Sequence, residues 1–151
     1  SYLGVDPHES LRLLRETSDA IEQAEGIPGI HCCSNADWPL VINSNVRIIN
    51  FDAYEYIDTI MIYPEEFKRF LQGGGYLAWG IVPTTDSIKD VNLDIIKRHF
   101  ESGIERLSKL VPSTLLLSQI LLTPSCGAGS RSIEEAVKVF QTLRALKELM
   151  V

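Results

Sequence analysis

Two hydrophobic patterns follow each other along this chain. In one, apolar residues recur at mainly helical spacing, separated by polar positions, as in amphipathic helices. Proline suits the first turn of two of these segments, and glycines end two of them. A capping box of Ser132 and Glu135 opens the last one. The predicted helices cover Pro7–Glu25, Ala36–Ile42, Pro64–Leu71, Leu93–Leu110 and Ser132–Leu149.

The second pattern is a short run of consecutive apolar residues between the helices. Such runs are typical of strands buried on both faces of a parallel sheet. The predicted strands cover Ile27–Cys33, Arg47–Asp52, Tyr76–Val82 and Ser118–Leu122. Strands that alternate with helices predict an α/β fold with a parallel sheet. Periodicity alone leaves two architectures open, an open doubly wound sheet and part of a (β/α)8 barrel.

Composition narrows the functional classes. The chain has 151 residues, enough for one domain, with 45% hydrophobic and 23% charged residues. A formal net charge of -6 and the lack of basic clusters argue against a nucleic-acid partner. No apolar stretch approaches the roughly 20 residues that cross a bilayer, so we expect no membrane partner. Three cysteines, two of them adjacent, favour a reducing cytoplasm in which thiols serve as metal ligands or catalytic groups.

Candidate chemistry begins where the first predicted strand ends. His31 and Cys33 are two residues apart, so in a strand their side chains share one face and Cys32 faces the other. An imidazole and a thiolate are ligands that zinc prefers. We interpret Cys32 as a small buried hydrophobic residue.

Two further candidates follow other predicted strands. Glu55 lies in the loop after the second strand and Cys126 in the loop after the fourth. The carboxyl ends of parallel strands share one edge, so we expect both to lie on the same side of the sheet as His31. One His, two Cys and one carboxylate suit tetrahedral zinc. Spacing alone does not select Glu55 over its neighbours Asp52 and Asp58.

These motifs carry a family resemblance. The His31-Cys32-Cys33 motif, the downstream Glu55 and the loop Pro124-Ser125-Cys126-Gly127 resemble the catalytic barrel of cobalamin-independent methionine synthase. More broadly, they resemble the superfamily that joins it to uroporphyrinogen decarboxylase and methylcobalamin:thiol methyltransferases. The resemblance runs from about Ile27 to Leu149. It implies a (β/α)8 TIM-barrel fold of which this chain, residues 1–151, is the C-terminal half of about four βα units. It also implies Zn²⁺ bound by His31, Cys33, Glu55 and Cys126.

The resemblance further implies an activity. A methyltransferase of this type transfers a methyl group to a thiol, here homocysteine, giving methionine. We interpret Glu55 as the ligand that yields as the thiol arrives. Folate-using members carry an Asp-Ile-His-Ser stretch, whereas the corresponding stretch Trp79–Thr84 has no histidine. We therefore expect a methylcorrinoid protein as the methyl donor in preference to methyl-folate. An N-terminal barrel half or a second copy of the chain would supply the other strands, and the half alone is expected to be inactive.

Two alternative functions stay open. The first is a structural zinc module, or an inactive barrel half that mediates assembly, since a closed four-ligand site also fits these residues. The other alternative is a decarboxylase-like barrel that uses no metal.

Overall fold

The computed structural model of the protein describes residues 6–149. In this part of the chain four strands alternate with α-helices, as the sequence predicts. The strands are β1 (Gly29–Cys32), β2 (Ile48–Asp52), β3 (Tyr76–Val82) and β4 (Ile120–Pro124). The helices are α1 (Pro7–Gln23), α2 (Trp38–Ile42), α3 (Ile57–Ile60), α4 (Pro64–Gln72), α5 (Leu93–Leu107), α6 (Ser113–Ser118) and α7 (Ile133–Leu149), with a 3₁₀ turn at Asp86–Lys89.

All four strands are parallel and lie in their order along the chain, β1-β2-β3-β4. A doubly wound sheet reverses its strand order at a switch point. No reversal occurs among the strands of residues 6–149. The prediction of an α/β fold with a parallel sheet is therefore confirmed. The carboxyl ends of all four strands lie at the same end of the sheet.

The two faces of the sheet differ in what covers them. Alternate residues of the strands pack into one hydrophobic core, among them Ile49, Leu77 and Trp79, which are fully buried. Phe51 and Trp79 meet edge-to-face in that core, with ring centroids 5.7 Å apart. The residues between them face the other way, where Tyr76 and Leu121 are about two-fifths exposed. Burial thus holds the helices against one face, while the other face is exposed at Tyr76 and Leu121 and buried at Ala78.

The fourth strand begins later than predicted. The prediction of Ser118–Leu122 is wrong at its start, because Ser118 closes helix α6. A short apolar run is compatible with either a strand or a helix, so the pattern did not separate them. The buried Gln119 that follows α6 donates from Nε2 to the carbonyls of Leu71 (2.9 Å) and Gly75 (2.7 Å). These bonds fix the chain where it turns into β4.

Other differences concern the ends of elements. The first strand is Gly29–Cys32, shorter than the predicted Ile27–Cys33. Pro28 precedes it and has no N–H to donate to the ladder, although its carbonyl accepts from the N–H groups of Arg47 and Ile48. Helix α5 ends at Leu107, one turn before the predicted Leu110. The capping box of α7 forms as predicted, since Ser132 and Glu135 each donate a backbone N–H to the other's side chain. Among the helices of residues 6–149, none combines the length and apolarity that a membrane span needs.

Candidate metal centre

Three side chains of the kinds that ligate metal ions converge where the strands of the sheet reach their carboxyl ends. One ligand atom from each of His31, Cys33 and Cys126 lies within 4.8 Å of the others. His31 is in β1, Cys33 directly follows that strand, and Cys126 lies two residues beyond β4. The structure therefore brings together three of the four side chains that the sequence singled out. They come from the first and the last strand of the sheet.

The loop of Cys126 is anchored by its neighbour. Ser125 is buried, and its backbone N–H donates to the carbonyl of Val82 at 2.8 Å. The Ser125 hydroxyl accepts from the backbone N–H of Thr84 at 3.2 Å and lies 3.3 Å from the Thr84 hydroxyl. These contacts tie the turn after β4 to the end of β3 and so fix the loop that carries Cys126.

A glycine permits the close approach of this loop. A Cβ atom added to Gly80 would lie 2.8 Å from the Cα of Ser125 and would also collide with the carbonyl oxygen of Phe51. Both neighbours are backbone atoms, so neither can rotate away. The absence of a side chain at Gly80 lets β2, β3 and the Cys126 loop pack at the distance that the cluster needs.

His31 is held by a network of hydrogen bonds across the sheet. Its Nδ1 lies 2.6 Å from Oδ1 of Asn50, its register partner in β2. The Nδ2 of Asn50 donates to the carbonyl of Ala78 at 2.8 Å and to the hydroxyl of Thr123 at 2.9 Å. One amide thus links all four strands at a single level and orients the imidazole.

The carboxylates lie differently from the three clustered side chains. Glu55 is exposed and is not among the side chains within 4.8 Å of one another. Its backbone N–H donates to Oδ1 of Asp52 at 2.9 Å. Asp52 is buried at the end of β2, on the same face as Asn50, and its burial, together with the charge of Glu55, raises the pKa of the Asp52 carboxyl. The role of Glu55 as a ligand stays a prediction.

Cys32 faces away from the cluster. It is partly buried and packs against the hydrophobic core. Burial raises the pKa of the Cys32 thiol, and the adjacent Cys33 raises it further. Cys33 and Cys126, in contrast, are exposed. This difference in surroundings separates one structural cysteine from two accessible ones, as the alternation along the strand predicts.

Sequence reasoning missed Asn50 and Ser125. Both belong to the support of the cluster, since Asn50 contacts His31 and Ser125 holds the loop of Cys126. Asn50 had a detectable signal, because it is an amide placed between two apolar residues in the centre of a strand. A serine beside a cysteine in a loop carries no such signal.

Comparisons with protein-family models, with curated proteins and with solved structures found no match to this chain. The chemistry of the cluster therefore rests on its own donors. One imidazole and two thiols suit zinc in particular, because zinc accepts nitrogen and sulfur ligands in tetrahedral sites. Three protein donors leave a fourth position for a carboxylate, water or substrate.

Proposed function

We propose that this chain carries a zinc site that activates a thiol for methyl transfer, with homocysteine as the acceptor. The observation that carries the proposal is the convergence of His31, Cys33 and Cys126 within 4.8 Å at the carboxyl edge of a parallel sheet. This edge is where functional loops gather in α/β folds. The resemblance of the same residues to the methionine synthase superfamily points to the same chemistry.

The donor atoms are of the types that zinc prefers, and solvent can reach them. Zinc, when bound, supplies a positive charge that keeps a coordinated substrate thiol in its thiolate form at neutral pH. His31 and both clustered cysteines are exposed, so a small thiol can reach the group from solvent. Two cysteine thiolates balance the charge of the ion, which preserves the nucleophilicity of an added sulfur.

The transfer itself is a displacement at carbon. The acceptor thiol releases its proton to solvent, and its sulfur forms a bond to the methyl carbon. The bond between that carbon and the donor breaks, and the donor keeps the electron pair. A methylcorrinoid protein suits the site better than methyl-folate, because a corrinoid leaving group needs no proton and the stretch Trp79–Thr84 offers no histidine to deliver one.

Glu55 has a proposed part in the exchange of ligands. It lies outside the group of three, close enough in sequence to Asp52 that its backbone contacts that carboxylate. An exposed carboxylate on a loop can approach and leave more readily than a side chain fixed in a strand. We therefore assign Glu55 the position that the acceptor thiol takes over, and the other three residues the permanent positions.

We also propose that the sheet is the C-terminal half of a (β/α)8 barrel. Its strands are parallel and in chain order, and a groove of about 420 Å³ lies at the amino ends of the strands, lined by Glu22 of α1 with Ile27, Ile48, Tyr76 and Leu121. A second groove of about 510 Å³ follows the free edge of β4 and is lined by Leu117, Leu121 and Phe140. Additional βα units, from an N-terminal barrel half or a second copy, would cover both surfaces.

The proposed function is tested by zinc content and by turnover. Protein purified under reducing conditions should bind one zinc per chain, and Cys126→Ser should lose it. Methyl transfer from a methylcorrinoid to homocysteine should require both the metal and the completed barrel. Protein without zinc under reducing conditions would contradict the proposal and favour the metal-free decarboxylase-like alternative. Zinc that binds without any effect of homocysteine would favour a structural module.

A further inference from the structure

We infer that Asn50 fixes the tautomer of His31, with the proton on Nδ1, and so assigns Nε2 as the atom that faces a metal. The position of the proton follows from hydrogen-bond partners alone. The consequence for metal binding rests on the proposed function. Asn50 is thereby a positioning residue that acts through His31.

The first step concerns the orientation of the Asn50 amide. A backbone carbonyl can only accept a hydrogen bond, so the atom of Asn50 that lies 2.8 Å from the Ala78 carbonyl is the donor Nδ2. The same nitrogen has a second proton, which it donates to the Thr123 hydroxyl at 2.9 Å. Both protons of the amide are used, and its oxygen is left to face His31.

The second step concerns the imidazole. An amide oxygen can only accept, and it lies 2.6 Å from Nδ1 of His31. Nδ1 must therefore carry a proton. A neutral imidazole has one N–H, so the free lone pair is on Nε2, which is the form that ligates a metal ion.

The rigidity of Asn50 makes this assignment stable. It lies in β2 between Ile49 and Phe51, which are fully or almost fully buried on the opposite face. It pairs in register with His31 on one side and with Ala78 on the other. The backbone is fixed by the sheet and the side chain by three contacts, so the oxygen cannot turn away from His31 without breaking two other hydrogen bonds.

The proton position can be measured in metal-free protein. Long-range ¹H–¹⁵N correlation spectra distinguish protonated from unprotonated ring nitrogens, and the chain has only three histidines. His31→Gln identifies the signals of that ring, while His8 and His99 serve as internal references. At a pH where the ring is neutral, we expect a protonated Nδ1 and an unprotonated Nε2. A proton on Nε2 would overturn the inference.

Substitutions test whether Asn50 is the cause. Asn50→Leu removes the acceptor at nearly constant volume, and we expect the Nε2–H tautomer to become populated while the circular dichroism spectrum is unchanged. Thr123→Val is the matched control, since it removes one partner of Asn50 and leaves the Ala78 carbonyl in place. An unchanged tautomer in Asn50→Leu would contradict the role of Asn50. If Asn50 only supported the fold, its substitution would not change the His31 tautomer in a variant that still folds.

A second readout is zinc affinity. Loss of a partner that orients a metal-bound histidine typically costs about 10–100-fold in affinity, and we expect that loss in Asn50→Leu. Unchanged affinity would overturn the assigned role. The two failures are distinguishable: if wild-type protein binds no zinc, the proposed function fails and the spectra still decide the tautomer. If zinc binds to a chain with Nε2–H in the metal-free state, the inference alone fails.

Discussion

Gly80 and Ser125 lie so close that a single methyl group on Gly80 would approach the Cα of Ser125 to 2.8 Å. This relationship connects the packing of the sheet with the position of Cys126, one residue further along. A glycine in the interior of a buried strand weakens the strand by itself. Here it permits the turn after β4 to reach the carboxyl end of β1.

Gly80→Ala should therefore weaken zinc binding without removing a ligand. The added methyl group meets backbone atoms, so the Cys126 loop must shift, and we expect at least a tenfold loss of zinc affinity and about 1–3 kcal/mol of stability. Gly103→Ala is the matched control, because its methyl group would lie 2.5 Å from the Trp79 ring, in the core. Isothermal titration of both variants with zinc separates a loss of affinity caused by the shifted Cys126 loop from one caused by disturbed core packing. Wild-type affinity in Gly80→Ala would contradict this account of the loop.

The three cysteines should differ in their importance for the metal. Cys33→Ser and Cys126→Ser each remove one of the two thiol donors within 4.8 Å, and we expect each to weaken the thiolate-to-metal charge-transfer band of the cobalt-substituted protein. Cys32→Ala should keep the full band and lose only stability, because Cys32 packs against the core. A band that depends on Cys32 would contradict the assignment.

Glu55→Gln tests the proposed exchange of ligands. Glu55 is exposed and lies outside the group of three, so we expect a loss of zinc affinity that is measurable but smaller than that of Cys126→Ser. Competition with a chelator of known affinity provides the measurement. A loss as large as that of Cys126→Ser would make Glu55 a permanent ligand, and unchanged affinity would remove it from the site.

Asp52 gives a prediction about pH. Burial, reinforced by the charge of Glu55, raises the pKa of Asp52, so the folded metal-free protein keeps this proton to higher pH than the unfolded chain does. Deprotonation then costs stability as pH rises through the folded-state pKa. Asp52→Asn keeps an acceptor for the Glu55 backbone N–H and removes the charge. We expect it to be more stable than wild type in urea at pH 7.

The stability difference between wild type and Asp52→Asn should vanish as pH falls below the pKa of Asp52 in the unfolded chain. Both the Asp52 carboxyl and the asparagine amide are then neutral. A stability difference that is independent of pH would show that the effect of Asp52→Asn comes from altered hydrogen bonds instead of charge.

The exposed apolar positions along the free edge of β4 predict self-association of the chain when no other strand covers that edge. Leu121 lies at the free edge of β4 and lines both grooves. Leu121→Lys should reduce association in sedimentation velocity experiments, since it places a charge on the edge that pairs. Ile62→Lys is the control, an apolar position that is more exposed than Leu121 (65% against 42%) and lies outside both grooves. An equal effect of the two substitutions would contradict a specific role of the β4 edge.

The sequence predicts long elements and their order better than it predicts short ones. The bounds of β3 agree with the pattern because its whole run is apolar and a glycine-rich turn precedes it. Helix α6 was missed because its serines and leucines fit either element in so short a run. The meeting of His31 with Cys126 could be anticipated, since carboxyl ends of parallel strands share an edge.

The support of these side chains could not be anticipated in the same way. The contact between Asn50 and Thr123 joins residues of β2 and β4, and it depends on strand order as well as on side-chain direction. The position of Glu55 depends on the path of a loop after β2, for which neither periodicity nor spacing gives a direction. Strand alternation predicts which candidate ligands share a face of the sheet. The residues that support those ligands depend on tertiary packing.

X-ray absorption at the zinc edge, before and after addition of homocysteine, tests the central claim most directly. Protein with one bound zinc should show one nitrogen and two sulfur neighbours from His31, Cys33 and Cys126, with oxygen at the remaining position. Homocysteine should replace that oxygen and add a third sulfur. An unchanged sulfur count in zinc-loaded protein would contradict thiol activation at this site.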